Sequence, residues 1–490
     1  MERALLKEKG KETMKSKDMQ YYIKSVIGLV IMFGFGQLPP IGPLTPLGMR
    51  IVGLFVGLVF LLCTVDIVWP SMLGMIGLGL TGYCSVGEAI SSGFGSEMVW
   101  MMLILLVLAA GISNSGLGEI LARWFITRKA LQSRPMLFTF VYIVSFGICS
   151  LLVASFTSVI LAWSIFYNIA DMAGYKKGER YSTIFIIGCF LSCIMYEGLF
   201  AFRSWWMVLA STFRDMTGYH INYVTYFIIS FTIVTLVILL LVLSMKYVFK
   251  CDFDKLALVD VSALENKDMK LNFRHKTLFT CFAMIVTYAF VTIICPPEWP
   301  VIAFLNNISL GGWFAIVLCV SMIVRWEGKP ILDFPSMAAE GINWNIIMMC
   351  ASLIPIAKAV TSDATGVKEL LTNILSPVLS GMNPIVFIIT IIVIMMILTN
   401  VGSNMATGIV LMTVIIPFVQ DYYFSPALVG MMIIFIATMG FILPGSSGMA
   451  PYLYANKWIE VKDIYKYGLY WCLLFLIVSI PVYIIASFIV

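Results

Sequence analysis

Charge is scarce in this sequence. Only 12% of its 490 residues are Asp, Glu, Lys or Arg, about half the share that a water-soluble surface carries, and this excludes a soluble enzyme or binding module. Histidine is nearly absent, with His220 and His275 the two in the chain. No His-Glu-x-x-His pattern occurs, so neither a histidine-built metal centre nor a metal-dependent intramembrane enzyme is expected. The eleven cysteines lie mostly inside apolar stretches, Cys189 and Cys193 among them, and read as small core residues. The first apolar run ends in Gly36-Gln37-Leu38-Pro39-Pro40 with no small-residue cleavage site, which points to a retained span rather than a signal peptide.

What the chain has instead is apolar length. Hydrophobic residues make up 61% of it, and thirteen runs between 22–38 and 467–489 approach the roughly 20 residues that a membrane-spanning helix needs. The expected fold class is an all-α polytopic membrane protein. Lys and Arg favour cytoplasmic loops, and here they cluster in the first seventeen residues, at Arg123 to Arg134, at Lys176 to Arg180, through Lys246 to Lys276, at Arg325 and Lys329, and at Lys457 to Lys466. This pattern explains the net charge of +5 through topology and leaves no nucleic-acid partner to invoke.

The run 136–173 has basic clusters at both ends, so it should enter and leave on one side as a re-entrant hairpin that folds at Ala154-Ser155-Phe156-Thr157-Ser158. The run 383–420, with Asn400-Val401-Gly402-Ser403-Asn404 at its centre, reads the same way. About eleven transmembrane helices and two hairpins result, in an inner cell membrane, with the N-terminus cytoplasmic and the C-terminus outside. The expected organisation is a cytoplasmic segment 1–21, scaffold helices 22–83, a first transport region 84–222, scaffold helices 223–324 with a loop at 246–276, a second transport region 325–466 and a C-terminal helix 467–490.

An internal repeat supports two halves. Met101-Met102 recurs as Met348-Met349, Ser155 matches Ser403, and Gly198 lies opposite Ser446, at offsets of 247 or 248 residues. The topology makes the halves inverted, and inverted repeats with broken helices mark secondary transporters, whose substrate and ions sit where helices unwind. Four such breaks are legible: the two hairpin tips, Tyr196-Glu197-Gly198, and Leu443-Pro444-Gly445-Ser446-Ser447-Gly448. Glu197 and Arg203 are ionisable groups inside an apolar run, which marks a pathway or an ion pair; they either lock the broken helix together or face the cavity.

With these motifs the sequence resembles the divalent anion:sodium symporter family over residues 20–490. Ser403-Asn404-Met405-Ala406-Thr407, followed by Pro417, resembles its Ser-Asn-Thr hairpin motif, Leu443 to Gly448 resembles its Thr-Pro-Pro helix break, and Ala357-Lys358 resembles its Leu-Ala-Lys stretch. The resemblance implies a homodimer with a scaffold and a moving transport domain, sodium as coupling ion, no prosthetic group, and a small dicarboxylate or tricarboxylate anion as substrate. Candidate substrate residues are Ser155, Phe156, Thr157, Arg203, Ser403, Asn404, Met405, Ser447 and Gly448. Candidate ion residues are Glu197, Gly198, Gly402, Ser403, Thr407, Gly445 and Ser446. The chain departs from the family at Phe156 (family Asn), Met405 (family Thr) and Tyr196-Glu197 (family Gly-rich). Neither Phe nor Met can replace the lost amide and hydroxyl, so the second hairpin retains more oxygen ligands for sodium than the first. Anion exchange or proton coupling through Glu197 is the alternative, with sodium/proton or arsenite transport more distant.

Overall fold

A computed structural model describes residues 19–128, 131, 133–153, 155–201, 206–257, 271–360, 362–367, 369–370, 373, 377, 382–401, 404–419, 425–444 and 446–489. In chain order the helices are α1 (Met19–Gln37), α2 (Pro46–Thr64), α3 (Val68–Leu80), α4 (Val86–Phe94), α5 (Glu97–Asn114), α6 (Leu117–Ile126), α7 (Pro135–Leu152), α8 (Ser155–Ala173), α9 (Arg180–Glu197), α10 (Trp206–Thr217) and α11 (Tyr223–Tyr247). They continue as α12 (Asp254–Ala257), α13 (Phe273–Ile294), α14 (Pro300–Ile323), α15 (Phe334–Gly341), α16 (Trp344–Val360), α17 (Pro384–Val401), α18 (Asn404–Val419), α19 (Pro426–Ile436), α20 (Ala450–Tyr454) and α21 (Val461–Ala486). A two-stranded ribbon, β1 (Arg325–Trp326) against β2 (Lys329–Pro330), is the one sheet among the described residues. Nine of the described helices are long and apolar enough to cross a membrane, or ten if a bent pair counts as one span. The chain is thus an all-α polytopic membrane protein.

The chain packs as two compact units, one of residues 1–99 and 343–380, the other of 100–342 and 381–490. In the first, α3 and α4 pack on α16. A β-carbon at Gly93 would lie 2.1 Å from the Ala351 carbonyl oxygen, so the α4 backbone reaches α16 only because this position has no side chain. Thr45 caps α2 by accepting from Gly48 N, and its hydroxyl donates to the Ala364 carbonyl at 2.7 Å, which ties two distant stretches together.

The second unit is built around α9, in which every residue from Tyr181 to Tyr196 is buried. A helix enclosed on all sides has only protein groups as partners, and while the Ser182 and Thr183 hydroxyls have none among the described residues, other groups on and around it are bonded. Ser192 donates to the Ile143 carbonyl at 2.9 Å, Ser150 donates to the Cys193 carbonyl at 2.7 Å, and the Trp163 indole donates to the Ile186 carbonyl at 3.0 Å. The run 136–173 is two helices, α7 and α8, and the Tyr142 hydroxyl on one donates to the Ala162 carbonyl on the other at 2.6 Å, so the chain folds back on itself. The run 383–420 does the same as α17 and α18, with Thr407 donating back to Leu398 at 3.4 Å. The arms have 18, 19, 18 and 16 residues. At 1.5 Å per residue they are about 24–29 Å long, close to the thickness of the hydrocarbon core.

Candidate functional site

The densest polar arrangement lies where the second hairpin meets the second broken helix, both in the second unit. Helix α19 passes into a 3-10 turn at Ala437–Met439, after which 440–444 and 446–449 are irregular before α20. An unwound stretch in an apolar interior leaves amide and carbonyl groups that need partners. Asn400, in the last turn of α17, supplies them: its side-chain oxygen accepts from Phe441 N at 3.1 Å and Ile442 N at 2.9 Å, while its amide donates to the Met396 carbonyl at 2.9 Å. The break is therefore held open by one carboxamide that replaces two helical acceptors.

Next to it, the Thr399 hydroxyl lies 3.1 Å from the Asn404 side-chain oxygen and 3.2 Å from the Ala437 carbonyl, sharing its proton between them. Asn404 N donates to the Ser446 carbonyl at 3.3 Å. A β-carbon at Gly440 would sit 1.8 Å from Asn404 Oδ1 and 2.7 Å from the Thr399 carbonyl, so this glycine is what lets the tip seat on the break. Gly440 has φ −82° and ψ 96°, a conformation open to any residue; space, not backbone freedom, requires it. Thr399 Oγ1, Asn404 Oδ1 and the carbonyls of Ala437 and Ser446 thus form an oxygen-rich, charge-free cluster. The carboxyl end of α17 adds negative dipole character, which suits a cation, and the amino end of α18 adds positive character, which suits an anion.

The first broken helix reaches the same region by a different route. Helix α9 stops at Glu197, where Gly198 closes it with N–H to the Ile194 carbonyl at 3.2 Å, and the Gly198 carbonyl accepts from the buried Tyr226 hydroxyl at 2.6 Å. A β-carbon at Gly198 would lie 2.4 Å from the Thr438 methyl, so the two breaks touch. At the first tip Ser155 is buried, Thr157 accepts from the Ser113 hydroxyl at 3.3 Å, and Ser158 is fully buried with no hydrogen-bond partner among the described residues. Phe156 is 46% exposed and its ring lies nearly parallel to that of Tyr452, 43% exposed, with centroids 6.4 Å apart.

The residues expected from sequence fall out as follows. Asn404, Ser446 and Gly198 belong to the joined breaks and Thr407 fastens the second hairpin to itself. Met405 is buried, Ser447 is half-buried and accepts from Ala450 N at 3.1 Å just before α20, and Gly448 is exposed. Glu197 is half-buried at the end of α9. Arg203, Gly402, Ser403 and Gly445 lie outside the described residues. Sequence reasoning missed Thr399, Thr438 and Gly440 and took Asn400 only as part of a polar midpoint. The available signal was a Thr-Asn pair closing an otherwise apolar run.

An apolar multi-helix chain with two helical hairpins, one of whose tips seats on the second of two touching broken helices, has the features of the secondary transporter class. The chain belongs to the sodium:sulfate symporter family, the divalent anion:sodium symporters: the profile of the sodium:sulfate symporter transmembrane region matches residues 19–488. Membership makes it a sodium-coupled anion symporter of the membrane, with sodium as the co-transported ion. No curated protein matches the chain.

Proposed function

We propose that the protein takes up small organic dianions or trianions of the dicarboxylate and tricarboxylate type together with sodium, by alternating access, as a homodimer of the inner membrane with its N-terminus cytoplasmic and its C-terminus outside. The observation that carries this reading is the cluster of Thr399 and Asn404 side-chain oxygens with the Ala437 and Ser446 carbonyls, neutral ligands that a weakly held monovalent cation needs. Gly402, Ser403 and Gly445 adjoin these residues in sequence and belong to the same proposed ion site, and Glu197 with Gly198 approaches it through Thr438. A bound sodium here neutralises part of the substrate charge beside the amino ends of α8 and α18, where Ser155, Thr157, Ser403, Ser447 and Arg203 are the proposed anion contacts.

An internal repeat is supported by the helix boundaries, and the inversion of its halves rests on the distribution of Lys and Arg. Helix α17 starts and ends 249 residues after α7 (135 to 384, 152 to 401), and α18 starts 249 after α8 (155 to 404). The hairpins are then re-entrant counterparts from the two halves, each able to close the site from one face, while 22–83 and 223–324 form the scaffold. Phe156 and Tyr452 in place of a polar tip make the site narrower and less polar than a family tip with Asn. The test is uptake of radiolabelled succinate, citrate and sulfate into proteoliposomes with and without a sodium gradient. Sodium-stimulated carboxylate uptake that Asn404→Ala abolishes is expected; sulfate uptake without carboxylate uptake refutes the substrate, and sodium-independent uptake refutes the coupling.

A further inference from the structure

A cavity of about 520 Å3 lies far along the chain from the joined breaks, between the start of α7 and the loop that follows α11. Its volume falls within the roughly 300–1,000 Å3 of small-molecule sites. Arg134 and Lys246 line it together with Asp252 and Asp254, and Met136 and Leu137 supply apolar wall. Among the described residues none of the four charged groups is in an ion pair, although other pairs occur close by, such as Lys255 with Glu179 at 2.6 Å. All four are exposed, so two cations and two anions rim one open space with no ion pair among them.

The frame around them is built. The Tyr175 hydroxyl donates to the Asp252 carbonyl at 2.6 Å, Asp252 Oδ1 accepts from Asp254 N at 3.0 Å, and Phe253 is buried between the charged pair. The cavity also stands at a membrane boundary, because Pro135–Leu152 and Tyr223–Tyr247 are both candidate spans and it lies where one begins and the other ends. Charged groups at span ends sit at the depth of lipid headgroups.

We propose that this cavity binds a phosphoethanolamine headgroup, with the phosphate at Arg134 and Lys246, the ammonium at Asp252 and Asp254, and the acyl chains leaving along Met136 and Leu137. A headgroup with one phosphate and one primary ammonium matches both pairs at once, whereas a purely anionic lipid leaves the carboxylates unpaired and a trimethylammonium has no N–H to donate to them. The headgroup chemistry is shared by the lipid and by soluble glycerophosphoethanolamine. The acyl wall assigns the lipid.

The experiment is thermal unfolding of the purified full chain in detergent, titrated with phosphatidylethanolamine, phosphatidylglycerol, phosphatidylcholine and glycerophosphoethanolamine. Phosphatidylethanolamine is expected to stabilise at the lowest concentration. The Arg134→Gln/Lys246→Gln variant should need roughly three- to tenfold more of it, the scale of two partly exposed charged contacts. Asp252→Asn/Asp254→Asn, in which the side-chain oxygen at position 252 still accepts the backbone N–H of position 254, should respond equally to the ethanolamine and glycerol headgroups. Wild-type titrations in both variants, or no headgroup preference in the wild type, overturn the proposal. Saturation by glycerophosphoethanolamine at the same concentration as the lipid overturns the lipid assignment. Variants with the wild-type melting temperature in lipid-free detergent keep misfolding apart from these outcomes.

Discussion

Gly440→Ala tests the joined tip and break directly. The added β-carbon would stand 1.8 Å from Asn404 Oδ1 and 2.7 Å from the Thr399 carbonyl oxygen, against an ordinary contact of at least 3.4 Å. Neither neighbour is free to yield: Thr399 is fully buried, its hydroxyl shared between Asn404 and Ala437, and Asn404 is held through its own N–H by Ser446. The methyl must therefore push the tip off the break. Overpacking of this kind costs about 1–3 kcal/mol, and if the oxygen cluster holds sodium the variant also loses the ligand's own contribution, about 2.7 kcal/mol at a hundredfold excess over Kd. The backbone angles at Gly440 suit alanine, so the whole effect is steric. Gly448→Ala is the control, since nothing lies within 4 Å of its β-carbon position. Melting temperature followed across a sodium titration is the assay: Gly448→Ala should shift upward with sodium as the wild type does, and Gly440→Ala should start lower and shift little. A Gly440→Ala protein with wild-type melting and sodium response refutes both the steric argument and the cation site.

Asn400→Ala should destabilise by about 2–6 kcal/mol, because the buried amides of Phe441 and Ile442 lose their acceptor and each such loss costs about 1–3 kcal/mol; unchanged exchange rates of those two amides would contradict this. Phe156→Asn should change stability by no more than about 0.5 kcal/mol, as for an exposed side chain, yet raise uptake of small dicarboxylates relative to bulkier anions; an unchanged uptake ratio would remove Phe156 from the site. At the start of α4, Glu88 Oε2 accepts from Ser85 N at 2.8 Å and Glu88 N donates to Ser85 Oγ at 3.2 Å, and the first of these bonds holds the carboxyl below the ordinary glutamate value of 4.5. A depressed folded pKa means stabilisation that is fully present above the unfolded value and lost as pH falls through the folded one. Amide protection at 85–88 should accordingly fade below pH 4.5 in the wild type and stay flat in Glu88→Gln, whose neutral oxygen still accepts; identical pH profiles would refute the cap.

Much of this protein was legible in its amino-acid sequence because the signals are local. Too few charges to cover a soluble surface, and apolar runs about as long as a bilayer is thick, determine a polytopic helical membrane protein by themselves. Polar residues interrupting those runs lie where α8 and α18 begin, where α9 ends and in the irregular stretch before α20, since a helix that must leave its hydrogen-bonding pattern inside an apolar medium does so at residues able to replace the lost partners; the non-helical Ser309 inside α14 and the 75° bend between α15 and α16 carried no such signal. The motif at 403–407 and the break at 443–448 pointed to the family to which the chain belongs.

What only the tertiary structure decided is which of these interruptions meet and through which atoms. Thr399 is joined to Ala437, Asn400 to Phe441 and Ile442, and Gly198 to Thr438, at separations of 38, 41, 42 and 240 residues. Hydrophobic period reports the average surroundings of a helix face and carries no information on which distant carbonyl lies opposite a given hydroxyl. For the same reason α9, with Ser182, Thr183 and Ser192 in its sequence, reads as the first half of a broken run and gives no sign that folding buries every residue from Tyr181 to Tyr196. Gly440 shows the limit most clearly: a glycine at the end of an apolar run says little as a letter, and it is required here because the fold brings an asparagine oxygen to the place where its side chain would be.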